Sequence, residues 1–219
     1  VYDTLCENPK MKKFEKFGLE NVAVSCRVMT KQGCESIVRQ AFEYADKHDR
    51  RSVTVVDKPN VIRETGGLMI RTAREVAKEY PDIPLYETNI DAQCMWFVKN
   101  PEDYDVVVAS NLFGDILSDL AAQLVGGLGF ASAGNIGDEY AVFEPTHGSA
   151  PKYAGQDKVN PIAMILATRL MLDWLGENEK ANRVLKAVEA VLKEAKYRTY
   201  DMGGNTKTSE MAQAIADRL

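Results

Sequence analysis

Along the chain the apolar positions switch repeatedly between a period of two and a period near 3.6, and each switch marks the boundary of an element. Residues 8–17 read as a short helix of mixed charge. Asn21-Val22-Ala23-Val24-Ser25-Cys26-Arg27-Val28 alternates as a strand does. Thr30 is placed to cap the next helix, in which Ile37, Ala41, Tyr44 and Ala45 recur at helical spacing until the charged run 46–51 ends it. Ser52-Val53-Thr54-Val55-Val56-Asp57 is a buried strand that Pro59 stops. Over 61–80, Ile62, Leu68, Met69, Ala73, Val76 and Ala77 predict a helix whose start is weakened or bent by Gly66-Gly67. Leu85-Tyr86-Glu87-Thr88-Asn89 is a strand, Asp91 caps a helix that runs through Val98, and 105–109 is another apolar strand leading into a helix at Asn111. From Gly126 the texture changes: Gly127, Gly129, Gly134 and Gly137 follow closely, and the pattern predicts a long irregular span up to Pro161. Spans of that length inside a compact domain are usually functional loops. Helices are predicted at 161–176 and 178–195, then a Gly203-Gly204 turn just after Tyr200 and a last helix from Thr208. There is no internal repeat. Strands alternating with helices predict an α/β architecture with strands parallel in part.

Composition narrows the class. With 219 residues, 45% of them hydrophobic, the chain can bury a substantial core as one large domain or two smaller ones. Its net charge of -5, with basic residues scattered among acids, gives no polyanion-binding face, so no nucleic-acid partner is expected. No apolar run approaches the ~20 residues of a membrane span, and no signal pattern opens the chain. Cys6, Cys26, Cys34 and Cys94 lack any C-x-x-C spacing, which predicts reduced thiols and a cytoplasmic protein, with an organellar matrix as the alternative. The chain opens Val1-Tyr2-Asp3, without methionine, which reads as a fragment or a processed product.

Three stretches carry candidate chemistry. In Asn111-Leu112-Phe113-Gly114-Asp115-Ile116-Leu117-Ser118-Asp119, two carboxylates stand four residues apart and so stack on one helical face. Like charges so placed repel by a few tenths of a kcal/mol, which suggests a cation between them, and hard oxygen donors suit Mg²⁺ or Mn²⁺. A solvated face whose first acid complements the helix N-terminus explains the spacing as well, and spacing alone favours it. Asp57-Lys58-Pro59-Asn60 puts a lysine and an asparagine at a strand end, where α/β folds build sites. Asp91 by itself reads as a helix cap. Glu144-Pro145-Thr146-His147-Gly148-Ser149-Ala150-Pro151-Lys152-Tyr153-Ala154-Gly155 combines a histidine, a cation and a phenol with a glycine that allows close backbone approach, a mixture that fits a phosphate-bearing ring ligand. Neither G-x-G-x-x-G nor a Walker loop is present.

Together these stretches resemble the isocitrate and isopropylmalate dehydrogenase family. Residues 111–119 followed by Gly126-Gly127-Leu128-Gly129 resemble its signature, and 144–155 with Asn160-Pro161 its cofactor loop. Residues 57–60 resemble its catalytic-lysine strand end, and Ile90-Asp91-Ala92 its third metal aspartate. The matches keep the family's order from Lys58 to Asp201. The resemblance implies the family's α/β fold, incomplete at the N-terminus, with 1–125 as a small domain for dimerisation and the metal and 126–219 as the C-terminal part of the large cofactor domain. It implies Mg²⁺ or Mn²⁺ on Asp115 and Asp119, with Asp91 from a neighbouring subunit of a homodimer. Lys58, also from the neighbouring subunit, would assist deprotonation of a 2-hydroxyacid, and Asn60 would contact substrate or nicotinamide. His147, Gly148, Ser149, Ala150, Lys152, Tyr153, Asn160 and Tyr200 would hold the cofactor.

Within the family, Lys152-Tyr153 and Tyr200 resemble the NADP-using isocitrate dehydrogenases, which set a cation and a phenol beside the 2′-phosphate. Gly203-Gly204 departs from them, since NADP users carry an arginine shortly after that tyrosine and NAD users do not. The implied reaction is oxidative decarboxylation of isocitrate to 2-oxoglutarate with NADP, NAD being the alternative cofactor. Sister activities on isopropylmalate, homoisocitrate or tartrate, and a catalytically silent subunit of the same fold, stand as alternatives. The family's substrate-clamping arginines and serine would precede Val1. Tyr2 falls near the family's catalytic tyrosine, but its neighbours Asp3-Thr4 do not match and it is not assigned.

Overall fold

The computed structural model describes residues 7–219, so Tyr2 and Cys6 lie outside the described residues. The chain packs as two compact units, one made of the described residues through Asn89 with Asp105–Val108, the other of Ile90–Tyr104 with Ala109–Leu219. These are units of packing within the chain. The division expected near residue 125 concerns the domains of the whole protein.

In the first unit a three-stranded sheet has the order β2-β1-β3, with β1 Val53–Asp57, β2 Leu85–Asn89 and β3 Val106–Ala109. Strand β1 is central and buried along its whole length, as its valine-rich run predicts for a strand covered on both faces. It pairs in parallel with β2 from Val53 opposite Leu85 to Asp57 opposite Asn89. A parallel pair needs a crossover, and helix α2 (Arg63–Ala77) supplies it. Helix α1 (Lys31–Lys47) starts where expected, its Thr30 Oγ1 accepting from the Gly33 amide at 3.1 Å. Its buried stripe is Cys34, Val38, Phe42 and Ala45. Ile37 and Tyr44, expected inside, are 47% and 40% exposed, because each stands just off the stripe that meets the sheet.

Phe42 is fully buried and stacks on Tyr80, with ring centroids 5.0 Å apart. Phe42→Ala therefore removes a ring from a closed core, and we expect it to lower unfolding free energy by about 3–5 kcal/mol. Urea denaturation measures this directly, and a loss below ~1 kcal/mol would show that the site is not a packed core.

Three expectations in this unit are corrected. Residues 21–28 form no strand; Val28 is 83% exposed, and their alternation finds no neighbouring ladder among the described residues. Residues 8–17 are turns and a 3-10 helix, Lys12–Phe17, which buries none of its side chains and so gains little from an α-helical face. Gly66-Gly67, expected to weaken or bend the start of a helix, lie inside a continuous α2.

In the second unit, helix α3 (Ile90–Lys99) packs on α4 (Asn111–Leu124). Asp91 lies in the first turn of α3 rather than at its cap, because the helix begins directly at the end of β2. The span expected to be irregular contains an antiparallel hairpin, β4 (Ser132–Ile136) with β5 (Ala141–Pro145). It lies against α5 (Ile162–Trp174), with Phe143 and Trp174 rings 6.1 Å apart. Helix α5 packs on α6 (Asn178–Glu194), and α6 on α7 (Thr208–Ala216). Ile162, Val188, Val191, Met211 and Ile215 close the core between them.

Candidate functional site

Helix α4 presents Asp115 and Asp119 on its exposed face, one turn apart. The buried side of the same helix is Phe113, Leu117 and Ala122, and packing that stripe turns the two acids outward. Beside them, a Cβ added at Gly114 would meet nothing within 4 Å, so the ground next to Asp115 is open. Among the described residues no group of three or more histidine, cysteine, aspartate or glutamate side chains is close enough to hold a metal ion. The pair by itself is a two-carboxylate donor set of hard oxygens, fitting Mg²⁺ or Mn²⁺ once further oxygens are supplied.

A cavity of about 540 Å³ opens in the same unit, between the turn at 126–129, the loop 147–150, and Asn160, Tyr200 and Asp201. It gathers His147, Gly148, Ser149, Ala150, Asn160 and Tyr200, all expected to serve one ligand. His147 Nδ1 lies 2.9 Å from the Gly148 carbonyl oxygen. That oxygen only accepts, so Nδ1 is the donor in this contact. Asn160 is buried, and both ends of its amide are engaged: Oδ1 accepts from the Ile162 amide at 3.0 Å and Nδ2 donates to Asp201 Oδ2 at 3.0 Å. Thr199 donates to the other Asp201 oxygen. Asn160 thus fixes the cavity wall as well as lining it.

Next to this wall four side chains form a cationic and aromatic cluster. The Tyr153 and Tyr200 rings lie 5.3 Å apart. Lys152 Nζ stands 4.8 Å from the Tyr153 ring, and Lys158 Nζ stands over both rings, 5.2 Å from Tyr153 and 4.8 Å from Tyr200. The hydrogen bond with Tyr200, then the one with Lys152, hold the Tyr153 phenol below its ordinary range, while the bond with Tyr153 is the main cause holding Tyr200 above it. A smaller cavity of about 220 Å³ adjoins, with Lys158, Tyr200 and Lys207 among its walls. Asp157 ties the loop to α7: its carboxylate accepts from the Ser209 hydroxyl at 2.6 Å and the Ser209 amide at 2.9 Å, which keep it below the usual carboxylate range.

Lys158 is the residue that reading the sequence passed over. Its one signal was a second lysine six positions after Lys152, and only the loop's fold sets it on both phenols. Lys58 and Asn60 belong to the first unit, in the turn that follows β1.

The profile of the family described as isocitrate/isopropylmalate dehydrogenase matches residues 3–215. The 3-isopropylmalate dehydrogenase of Archaeoglobus fulgidus is 48% identical over 93% of this chain and 62% of its own length. The mitochondrial isocitrate dehydrogenase [NAD] catalytic subunit 5 of Arabidopsis thaliana is 43% identical over 94% of this chain and 56% of its own. The crystal structure of isocitrate dehydrogenase from Methylococcus capsulatus superposes with a TM-score of 0.86 at 45% identity, covering 90% of this chain and 59% of that one. The chain thus spans roughly six-tenths of the length of the relatives it matches.

Proposed function

Since the chain belongs to the isocitrate/isopropylmalate dehydrogenase family, we propose that it is part of an NADP-preferring isocitrate dehydrogenase. The reaction oxidises the hydroxyl-bearing carbon of isocitrate, passes hydride to the nicotinamide, and releases the β-carboxylate as CO₂ to leave 2-oxoglutarate. The observation that carries this reading is the cluster of Lys152, Lys158, Tyr153 and Tyr200 beside the larger cavity. Two ammonium groups and two phenols suit a dianionic 2′-phosphate better than a ribose hydroxyl.

Each residue then has a task. Lys58 of a second copy takes up the proton of the substrate hydroxyl, and Asn60 orients the substrate or the nicotinamide end. His147, Gly148, Ser149, Ala150 and Asn160 hold the dinucleotide, while Lys152, Tyr153 and Tyr200 face its phosphate. Asp115 and Asp119 hold a divalent cation together with Asp91 of a second copy. When bound, Mg²⁺ or Mn²⁺ supplies Lewis-acid polarisation of the substrate oxygens. An outside donor suits a pair that no third ligand joins among the described residues. Exposed apolar side chains support the homodimer: Met95 and Val98 on α3, Leu112 and Ile116 on α4. We keep 1–125 as the dimerisation and metal domain of the whole protein and 126–219 as part of its cofactor domain. The free thiols of Cys26, Cys34 and Cys94 support a reducing compartment, which we take to be the cytoplasm. No helix among the described residues is long and apolar enough to cross a membrane.

A second reading, a sister dehydrogenase of isopropylmalate, homoisocitrate or tartrate using NAD, is favoured by Gly203-Gly204 and by the names of the relatives. A silent subunit of the same fold is disfavoured by the joint presence of Lys58, Asp91, Asp115 and Asp119. Thermal denaturation separates them. Mn²⁺ with isocitrate at about 100 times the dissociation constant should stabilise the full-length protein by about 2.7 kcal/mol. No rise in melting temperature at saturating concentrations would refute the isocitrate reading, and a rise with 3-isopropylmalate alone would establish the second.

A further inference from the structure

Lys58 is held by both ends of its main chain. Its amide donates to Asp57 Oδ1 at 2.7 Å, and its carbonyl accepts from the amides of Val61 at 3.0 Å and Ile62 at 2.8 Å. The carboxylate that receives the amide is fully buried at the end of β1, with the Arg27 guanidinium 3.3 Å from its other oxygen. A buried carboxylate is unfavourable unless it is both paired and hydrogen-bonded, and here the pair is a half-exposed arginine that belongs to no helix or strand.

Gly66 makes room for this arrangement. It is buried inside α2, where glycine weakens a helix relative to alanine. A Cβ added there would fall 2.5 Å from Asp57 Oδ1 and 3.2 Å from Pro59. Two choices that each work against stability, a buried acid and an interior helix glycine, converge on the amide of one residue, and a coil arginine supplies the acid's pair. Local rules broken together in this way are the mark of a positioned functional group.

We propose that Asp57 is the positioning residue of Lys58. It touches no substrate; it fixes the strand-end turn so that the lysine leaves the main chain in one direction, and Gly66 and Arg27 keep the carboxylate in place. The inference rests on the reading of Lys58 as the proton-accepting group.

The test uses Asp57→Asn, Gly66→Ala and, as reference, Lys58→Met in the full-length protein. The assay substrate is whichever of isocitrate, 3-isopropylmalate and homoisocitrate the wild type turns over fastest with Mn²⁺. Gly66→Ala keeps every ionisable group and favours the helix, so it separates displacement of the carboxylate from loss of its charge. We expect it to speed exchange of the Lys58 amide hydrogen about tenfold or more. It should also lower kcat by about 10- to 100-fold, the scale of a misplacement near 1 Å, with the KM for the dinucleotide within about twofold of wild type. Asp57→Asn should lower kcat in the same direction, with the same unchanged KM. Wild-type kcat in both variants, alongside a lost kcat in Lys58→Met, would overturn the positioning role and leave the catalytic reading of Lys58 standing. Full turnover in Lys58→Met would remove Lys58 from the reaction, and the positioning role with it. Unchanged exchange of the Lys58 amide in Gly66→Ala would also overturn the proposal, whatever the activity.

Discussion

Asp115→Asn should leave the protein folded, abolish most of its turnover and weaken its hold on Mn²⁺. The sign on stability comes from α4 itself. Asp115 and Asp119 lie one turn apart on an exposed helical face, and like charges at that spacing destabilise a helix by a few tenths of a kcal/mol. Asparagine and aspartate have similar helix propensities, so in the absence of metal the variant should be as stable as the wild type or slightly more so. A metal site reverses that balance. Removing an outer partner of a ligand typically costs 10- to 100-fold in metal affinity, and removing a donor oxygen should cost at least about 100-fold, with kcat falling by a similar factor or more. Manganese binding followed by electron paramagnetic resonance, with a parallel urea curve, reads both quantities. Unchanged manganese affinity would take Asp115 out of the site. A fall in activity that followed a fall in stability would assign the residue to the fold instead.

How much of this was legible depends on where each signal lay. The aspartate pair could be read because four residues make about one helical turn, and β1 because a short valine-rich run suits a strand covered on both faces. The hairpin β4–β5 could not. Ser132-Ala133-Gly134-Asn135-Ile136 has no apolar alternation, and its strand character comes from pairing with Ala141–Pro145, a partner that only the folded chain brings alongside. The reverse happened at 21–28, where alternation was present and, among the described residues, a partner was not. Gly66 looked like a weak point in a helix because its reason, the carboxylate of Asp57, stands on another element. Arg27 and Asp57 are separated by 30 positions, and nothing in either neighbourhood announces the pair. The motif residues His147 to Ala150 and Tyr200 line one cavity, whereas the two engaged ends of Asn160 and the placement of Lys158 emerged from packing alone.

The departure at Gly203-Gly204 bears most directly on cofactor choice, and geometry gives it a local cause. Gly203 has φ of 76°, a left-handed conformation that glycine takes without strain. A Cβ added at Gly204 would fall 2.2 Å from the Arg198 carbonyl oxygen, so neither position accepts an arginine without rebuilding the turn. On the proposed NADP reading the cation that NADP users place there comes from elsewhere, and Lys158, over both phenols, occupies such a place. Replacing Lys152 and Lys158 together by methionine keeps the aliphatic stems against the rings and removes both charges. Without these two charge-assisted interactions, kcat/KM for NADP should fall by about 100-fold, roughly tenfold for each cation, while kcat/KM for NAD stays within about twofold. The difference should shrink as salt is raised, because these cations are exposed to screening. The pH dependence has a definite sign as well. Tyr153 is held below the ordinary phenol range, so raising the pH through its depressed value puts a phenolate beside the site and repels the 2′-phosphate. The NADP-to-NAD preference of the wild type should therefore fall with rising pH before an ordinary tyrosine would ionise, and Tyr153→Phe should remove that decline. If the double lysine variant loses activity with NAD as steeply as with NADP, the cluster reads the dinucleotide as a whole rather than its phosphate, and the NAD-using reading gains.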